Sequence, residues 1–186
     1  MYKHKQKSSG KEVFYRFNAP EEHDFPSMIE LFSKKPDCLK IAPFSHLTPI
    51  PTSDAIASLS AILLNEDYYH FTHSGREVID GISIVQPTHL IPLKARAWLD
   101  LVHSKEEGMA VDAKDIRKHK NDILRLSQLL SPSATVPMPQ AVKSDMAKFL
   151  ATLALGPAID MKSLGIKHFT SDQVLKHLSQ IYEISG

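Results

Sequence analysis

Pro87-Thr-His-Leu-Ile-Pro-Leu-Lys94-Ala-Arg-Ala-Trp-Leu-Asp-Leu101 is the stretch on which the reading of this chain turns. At about 100° per residue it is the body of a helix over residues 88–103, in which Leu90, Ile91, Ala97, Trp98 and Leu101 lie within roughly 60° of Lys94. Arg96 and Asp100 point the other way. Lys94 is therefore on the face that a helix buries. Taking an ammonium out of water is costly unless an anion meets it, so the position implies an internal carboxylate or a bound ligand such as a phosphate. A lysine stem lying along the core with its amine reaching solvent is the bland alternative.

The next periodic segment, residues 112–130, follows the break at Gly108. Its buried stripe is Ile116, Ile123, Leu126 and Leu130, with Asp115 and Asp122 almost in register along one edge and His119 between them, nearer the stripe. The two central helices are expected to bring Lys94 near Asp115 and Asp122. Equally open is a solvated edge whose carboxylates meet Lys118, Arg125 or a neighbouring helix. Prolines at 132, 137 and 139 break the chain, and residues 140–155 and 171–184 supply two further helices.

Upstream, residues 11–17 alternate with the period of a strand. Residues 27–32 form a second, with Met28, Glu30 and Phe32 on one side and Ile29 and Leu31 on the other, buried on both faces except for the carboxylate of Glu30. Four prolines between residues 34 and 52 exclude a long regular element and suggest an ordered loop. Ser53 or Asp54 is expected to cap a helix through Leu64, and residues 68–72 and 78–85 to form short strands around a turn at Ser74-Gly75. The polar, basic first ten residues are expected to be a frayed arm. This is the pattern of an α+β protein: an arm at 1–10, an α/β part with a small mixed sheet at 11–103, and a helical part at 104–186. An incomplete sheet would leave an edge strand near Lys11, and exposed edges recruit partners, so self-association or docking along it is expected.

A chain of 186 residues, 42% hydrophobic and 23% charged, can bury a core as one domain or one domain with a small appendage. The formal net charge of +1 gives no case for nonspecific nucleic-acid binding, though it leaves room for a local basic site. Cys38 is the single cysteine, so no intrachain disulfide forms, and no N-terminal apolar segment resembles a signal peptide or membrane span. A reducing, cytoplasmic setting without membrane contact is expected. No Gly-x-Gly-x-x-Gly, Gly-Lys-Ser/Thr or Gly-x-Ser-x-Gly sequence occurs, which sets aside dinucleotide folds, P-loops and a nucleophile elbow. His70-Phe-Thr-His73 has a ligand-like spacing, but on a strand its imidazoles face opposite sides and no third ligand is near. Tyr15, Arg16 and Phe17 beside the basic arm could contact RNA, although such residues at strand spacing more often belong to a sheet core.

The segments Met28-Ile-Glu-Leu-Phe-Ser33, Leu90-Ile-Pro-Leu-Lys-Ala-Arg-Ala-Trp-Leu-Asp-Leu101 and Lys114-Asp-Ile-Arg-Lys-His-Lys-Asn-Asp-Ile-Leu-Arg-Leu126 resemble successive motifs of nucleotidyltransferase-fold proteins, particularly the AbiEii-type abortive-infection and toxin–antitoxin group. The resemblance covers roughly residues 11–130. It implies that Glu30 stands for the third metal-site carboxylate, holding Mg²⁺. Lys94, with Lys114, would take the phosphates of a nucleoside triphosphate, and Asp122 or Asp115 would be the downstream aspartate. The implied activity is transfer of a nucleotidyl group to an RNA, protein or small acceptor.

Such enzymes open with a Gly-Gly or Gly-Ser turn and an Asp-x-Asp pair that holds the Mg²⁺ ions bridging the triphosphate. No Asp-x-Asp occurs in this sequence. The chain resembles the later two-thirds of the family with its catalytic beginning removed, so weak or absent activity is expected. Two readings stand: a nucleotidyltransferase-fold protein whose Lys94 binds phosphate, or a non-catalytic, partner-binding scaffold whose Lys94 is paired to Glu30 or an aspartate.

Overall fold

The structure is a computed structural model that describes residues 2–6, 12–22, 24–34, 47–50 and 59–184. It mixes helices and small sheets, and it divides into two compact units, Met1–Tyr69 and His70–Gly186. The boundary read from sequence fell at residue 103, inside a helix that packs on the two helices following it and so belongs with them.

In the first unit, strands β1 (Lys3–Gln6), β2 (Glu12–Asn18) and β3 (Met28–Glu30) form an antiparallel sheet in the order β1-β2-β3. Within the expected frayed arm, Lys3–Gln6 is β1, laid on β2 with a register shift between His4 and Lys5. β2 has a strand on each side, so the edge on which self-association was expected is covered by the chain itself. The strand expected over 27–32 is interrupted at Leu31. β4 (Phe32–Lys34) leaves for a second sheet, where β6 (Leu59–Leu64) runs parallel to β4 and antiparallel to β5 (Leu47–Ile50). Burial on both faces fails with it: Met28 and Ile29 are each 39% exposed.

Two further expectations change in this unit. The proline-rich segment holds a strand, β5, and Pro49 is tolerated there because β5 is an edge, where one side of the backbone needs no ladder donor. Residues 59–64 are a central strand rather than the end of a helix: a six-residue run that is apolar except for Ser60 has no decisive period, and ladders on both sides satisfy its backbone. Residues 35–46 and 51–58, with the expected cap at Ser53 or Asp54, lie outside the described residues.

Helix α1 (Glu66–Ser74) replaces the strand expected at 68–72, and the division between units falls within it. The Asn65 side chain accepts from the Tyr68 N–H at 2.9 Å, Glu66 and Asp67 fill the first turn, and Tyr68 and Phe71 are buried three residues apart on one face. Burial at helical spacing decides for the helix. A hairpin of β7 (Arg76–Ile79) and β8 (Ile82–Val85) follows. Its turn is at Asp80-Gly81, not Ser74-Gly75, with φ of 50° and 79°, the two positive angles of a type I′ turn that favours Gly.

The second unit is built on α2 (Pro87–Glu106), α3 (Ala113–Leu126), α4 (Gln140–Leu155) and α5 (Ser171–Ile181), as the periodicity predicts within a few residues. Asp112 caps α3 by accepting from the Lys114 N–H at 2.8 Å, and Thr170 and Gln173 close a capping box on α5. α2 buries Ile91, Pro92, Ala95 and Trp98, packing against α3 and α4, and Trp98 meets Phe149 edge to face with centroids 5.2 Å apart. Pro92 has no N–H to give the Thr88 carbonyl one turn back. The buried Tyr182 hydroxyl donates to that carbonyl at 2.9 Å, tying the chain's C-terminal end to the start of α2. Among the described residues no helix is long and apolar enough to cross a membrane.

Candidate functional site

Lys94 projects from the middle of α2 and its ammonium donates to Asp122 of α3 at 2.8 Å. The side chains keep 22% and 25% of their exposure, so the pair is largely withdrawn from water yet reachable from it. The two helices can make this pair because α2 packs on α3, with Ile91, Ala95 and Trp98 of α2 and Ile123 and Leu124 of α3 buried. The charged ends then emerge at its rim. Partial desolvation strengthens the attraction, and neither charge is left alone at a depth where water is scarce.

His119, one turn before Asp122, completes the cluster. Its Nδ1 is buried and finds no hydrogen-bond partner among the described residues. Burial depresses its pKa below the ordinary 6.5, the neighbouring charges of Lys94 and Lys118 push the same way, and Asp122 and Asp115 only partly oppose them. The ring is held neutral near pH 7, with one nitrogen inside. Sequence reading placed His119 on this face but gave it no role; its spacing of three from Asp122 was the available signal.

The other expected residues are less closely engaged. Asp115 is exposed in the first turn of α3, where a carboxylate suits the helix dipole, and reaches this cluster only through its field on His119. Lys114 is exposed beside it. Glu30 belongs to the first unit, where it is ion-paired with Arg16 on the adjoining strand. As a Mg²⁺ ligand it does not fit, since its carboxylate is engaged by a guanidinium. No group of three or more His, Cys, Asp or Glu is placed to hold a metal among the described residues. His70 and His73 are on α1 rather than a strand, and they form no such group either.

Arg96 and Asp100, read as pointing away from the core, are not simply solvated. Arg96 reaches Asp100 one turn on and, at 3.0 Å, the 8%-exposed Asp145 of α4. Burial works against its charge, but the two carboxylates outweigh that and raise its pKa. This network clamps α2 to α4 on the side opposite Lys94 and takes no part in the site.

Chemically, the Lys94–His119–Asp122 cluster can hold an anion. Lys94 Nζ has three donors and Asp122 uses one of them, so the ammonium keeps hydrogen-bonding capacity for a phosphate oxygen, and the aspartate fixes its direction. Comparison with family models, with curated proteins and with solved structures found no match.

Proposed function

We propose that this chain is a nucleotidyltransferase-fold protein of the AbiEii-type group, and that its helical unit carries the site for the phosphates of a nucleoside triphosphate in a cytoplasmic setting. The observation that supports it is Lys94, oriented by Asp122 at 2.8 Å on a partly exposed rim between α2 and α3. Lys94 Nζ donates to a phosphate oxygen, Asp122 keeps it aimed, and neutral His119 offers a nitrogen to the same ligand. Transfer to an RNA, protein or small acceptor belongs to the complete form of such an enzyme. Glu30 is engaged by Arg16 and no group of three or more His, Cys, Asp or Glu is placed to hold Mg²⁺ among the described residues, so no transfer step is assigned to them.

The scaffold reading is favoured by one specific observation: Asp122 already compensates the charge of Lys94, as in a purely structural pair. Equilibrium binding of a fluorescent ATP or GTP analogue to the wild type and to Lys94→Met separates the two. The first reading expects binding by the wild type and at least a tenfold loss, about 1.4 kcal/mol, in a variant that keeps its helical signal. No binding by either protein, or equal binding by both, supports the scaffold.

A further inference from the structure

Helix α3 carries a second feature that lies outside the Lys94–His119–Asp122 cluster. Five of its residues, Lys114, Arg117, Lys118, Lys120 and Arg125, are cationic against two aspartates, in a chain whose formal net charge is only +1. At 100° per residue Lys114, Lys118 and Arg125 fall within about 40° of one another, with Asn121 in the same line and Arg117 beside it. All four of these cations are exposed. Lys114, Arg117 and Lys118 pair with no carboxylate among the described residues, and Arg125 gives one N–H to the Leu164 carbonyl at 3.4 Å while its guanidinium stays exposed. The stripe spans about 16 Å at 1.5 Å rise per residue.

This arrangement works against the helix that bears it. Lys114 and Lys118 repel at a spacing of four, and Lys114 lies in the first turn, where the dipole disfavours a cation. A face selected only for solubility would interleave the signs. We infer that the exposed stripe of α3 is a docking surface for a nucleic-acid strand, held through its phosphodiester backbone. A strand presents one charge per about 3.4 Å of helix axis, so the stripe can face several consecutive phosphates, and each neutralised phosphate releases counterions. A protein partner fits less well, because the arc from Arg117 through Lys114 to Lys118 holds no aliphatic or aromatic anchor around which a protein interface forms. The surface is separate from Lys94 and does not depend on the proposed nucleotide site.

The test is fluorescence anisotropy of the full chain with a labelled oligouridylate of about 20 nucleotides, across about 50 to 200 mM salt. Lys114→Gln/Lys118→Gln is compared with Lys148→Gln/Lys176→Gln, which removes the same charge from exposed positions on α4 and α5. The α3 variant is expected to bind at least tenfold more weakly at low salt and to lower the salt slope by about 1.4, two contacts at 0.7 each. The control pair should match the wild type. Absence of RNA binding, equal losses in the two variants, or displacement of the RNA by polyglutamate at equal charge would overturn the assignment. Lys94→Met is expected to keep RNA binding, so failure of the nucleotide site and failure of this surface are read separately.

Discussion

The Lys94–Asp122 pair makes a quantitative claim about the interface of α2 and α3. Lys94→Met keeps most of the apolar stem and removes the charge, leaving Asp122 facing a rim that is three-quarters closed. Exposed pairs contribute about 0–1 kcal/mol, and breaking fully buried ones costs about 3–5, so a pair at this depth should cost about 1–2 kcal/mol when one partner is lost. Asp122→Asn should cost about the same, and the double variant less than the sum, with a coupling of about 1 kcal/mol. Trp98 is the chain's single tryptophan, 6% exposed in the core of the second unit, so urea unfolding followed by its fluorescence reports that unit. A coupling below about 0.3 kcal/mol, with both single variants near neutral, would refute the argument that the helices bury and orient this lysine.

Three other consequences follow from particular contacts. A Cβ on Gly75 would collide with His89 Cγ, whose ring lies tilted by 32° against Phe71 with centroids 4.6 Å apart, so Gly75→Ala should cost about 1–3 kcal/mol in the same unfolding assay. Tyr182→Phe removes the donor to the Thr88 carbonyl that Pro92 cannot serve and should cost about 1–2 kcal/mol, with hydrogen exchange rising at the start of α2. Burial lowers the pKa of His89, and burial with Lys94 lowers that of His119. The unfolded chain then binds more protons below the ordinary value of 6.5, so the stability they contribute is complete above 6.5 and lost as pH falls through the depressed folded values. Unfolding midpoints measured from pH 7.5 to 5 should fall less steeply in His89→Gln/His119→Gln than in the wild type.

The helical unit was legible because its signals are local and repeated. The apolar period of α2 and α3 put Lys94 and Asp122 on facing stripes, and Asp112, Gly108 and the prolines at 137 and 139 marked where helices start and stop. Contacts set by packing at a distance were not legible. Arg96 reads as a solvent residue until α4, 49 positions away, brings Asp145 against it. The Pro92 defect is visible in sequence, but Tyr182, 94 residues from Thr88, is not visibly its remedy. The first unit was legible only in part: the strands expected over 11–17 and 27–32 are present as β2 and as β3 with β4, but Leu59–Leu64 is too short to carry a period, and what makes it a strand is pairing with partners that the sequence does not announce. The arm was misread likewise: Lys3–Gln6 has no apolar pattern, and its strand exists through the ladder with β2.

Whether a triphosphate meets Lys94 is reported most directly by amide and lysine Nζ chemical shifts during titration with ATP or GTP. The expected result is saturable change centred on Lys94, His119 and Asp122, abolished by Lys94→Met while the remaining spectrum is preserved. Saturating nucleotide that leaves those three residues unmoved, or that shifts Lys94→Met equally, would contradict the nucleotide site and leave the pair as a structural clasp between α2 and α3.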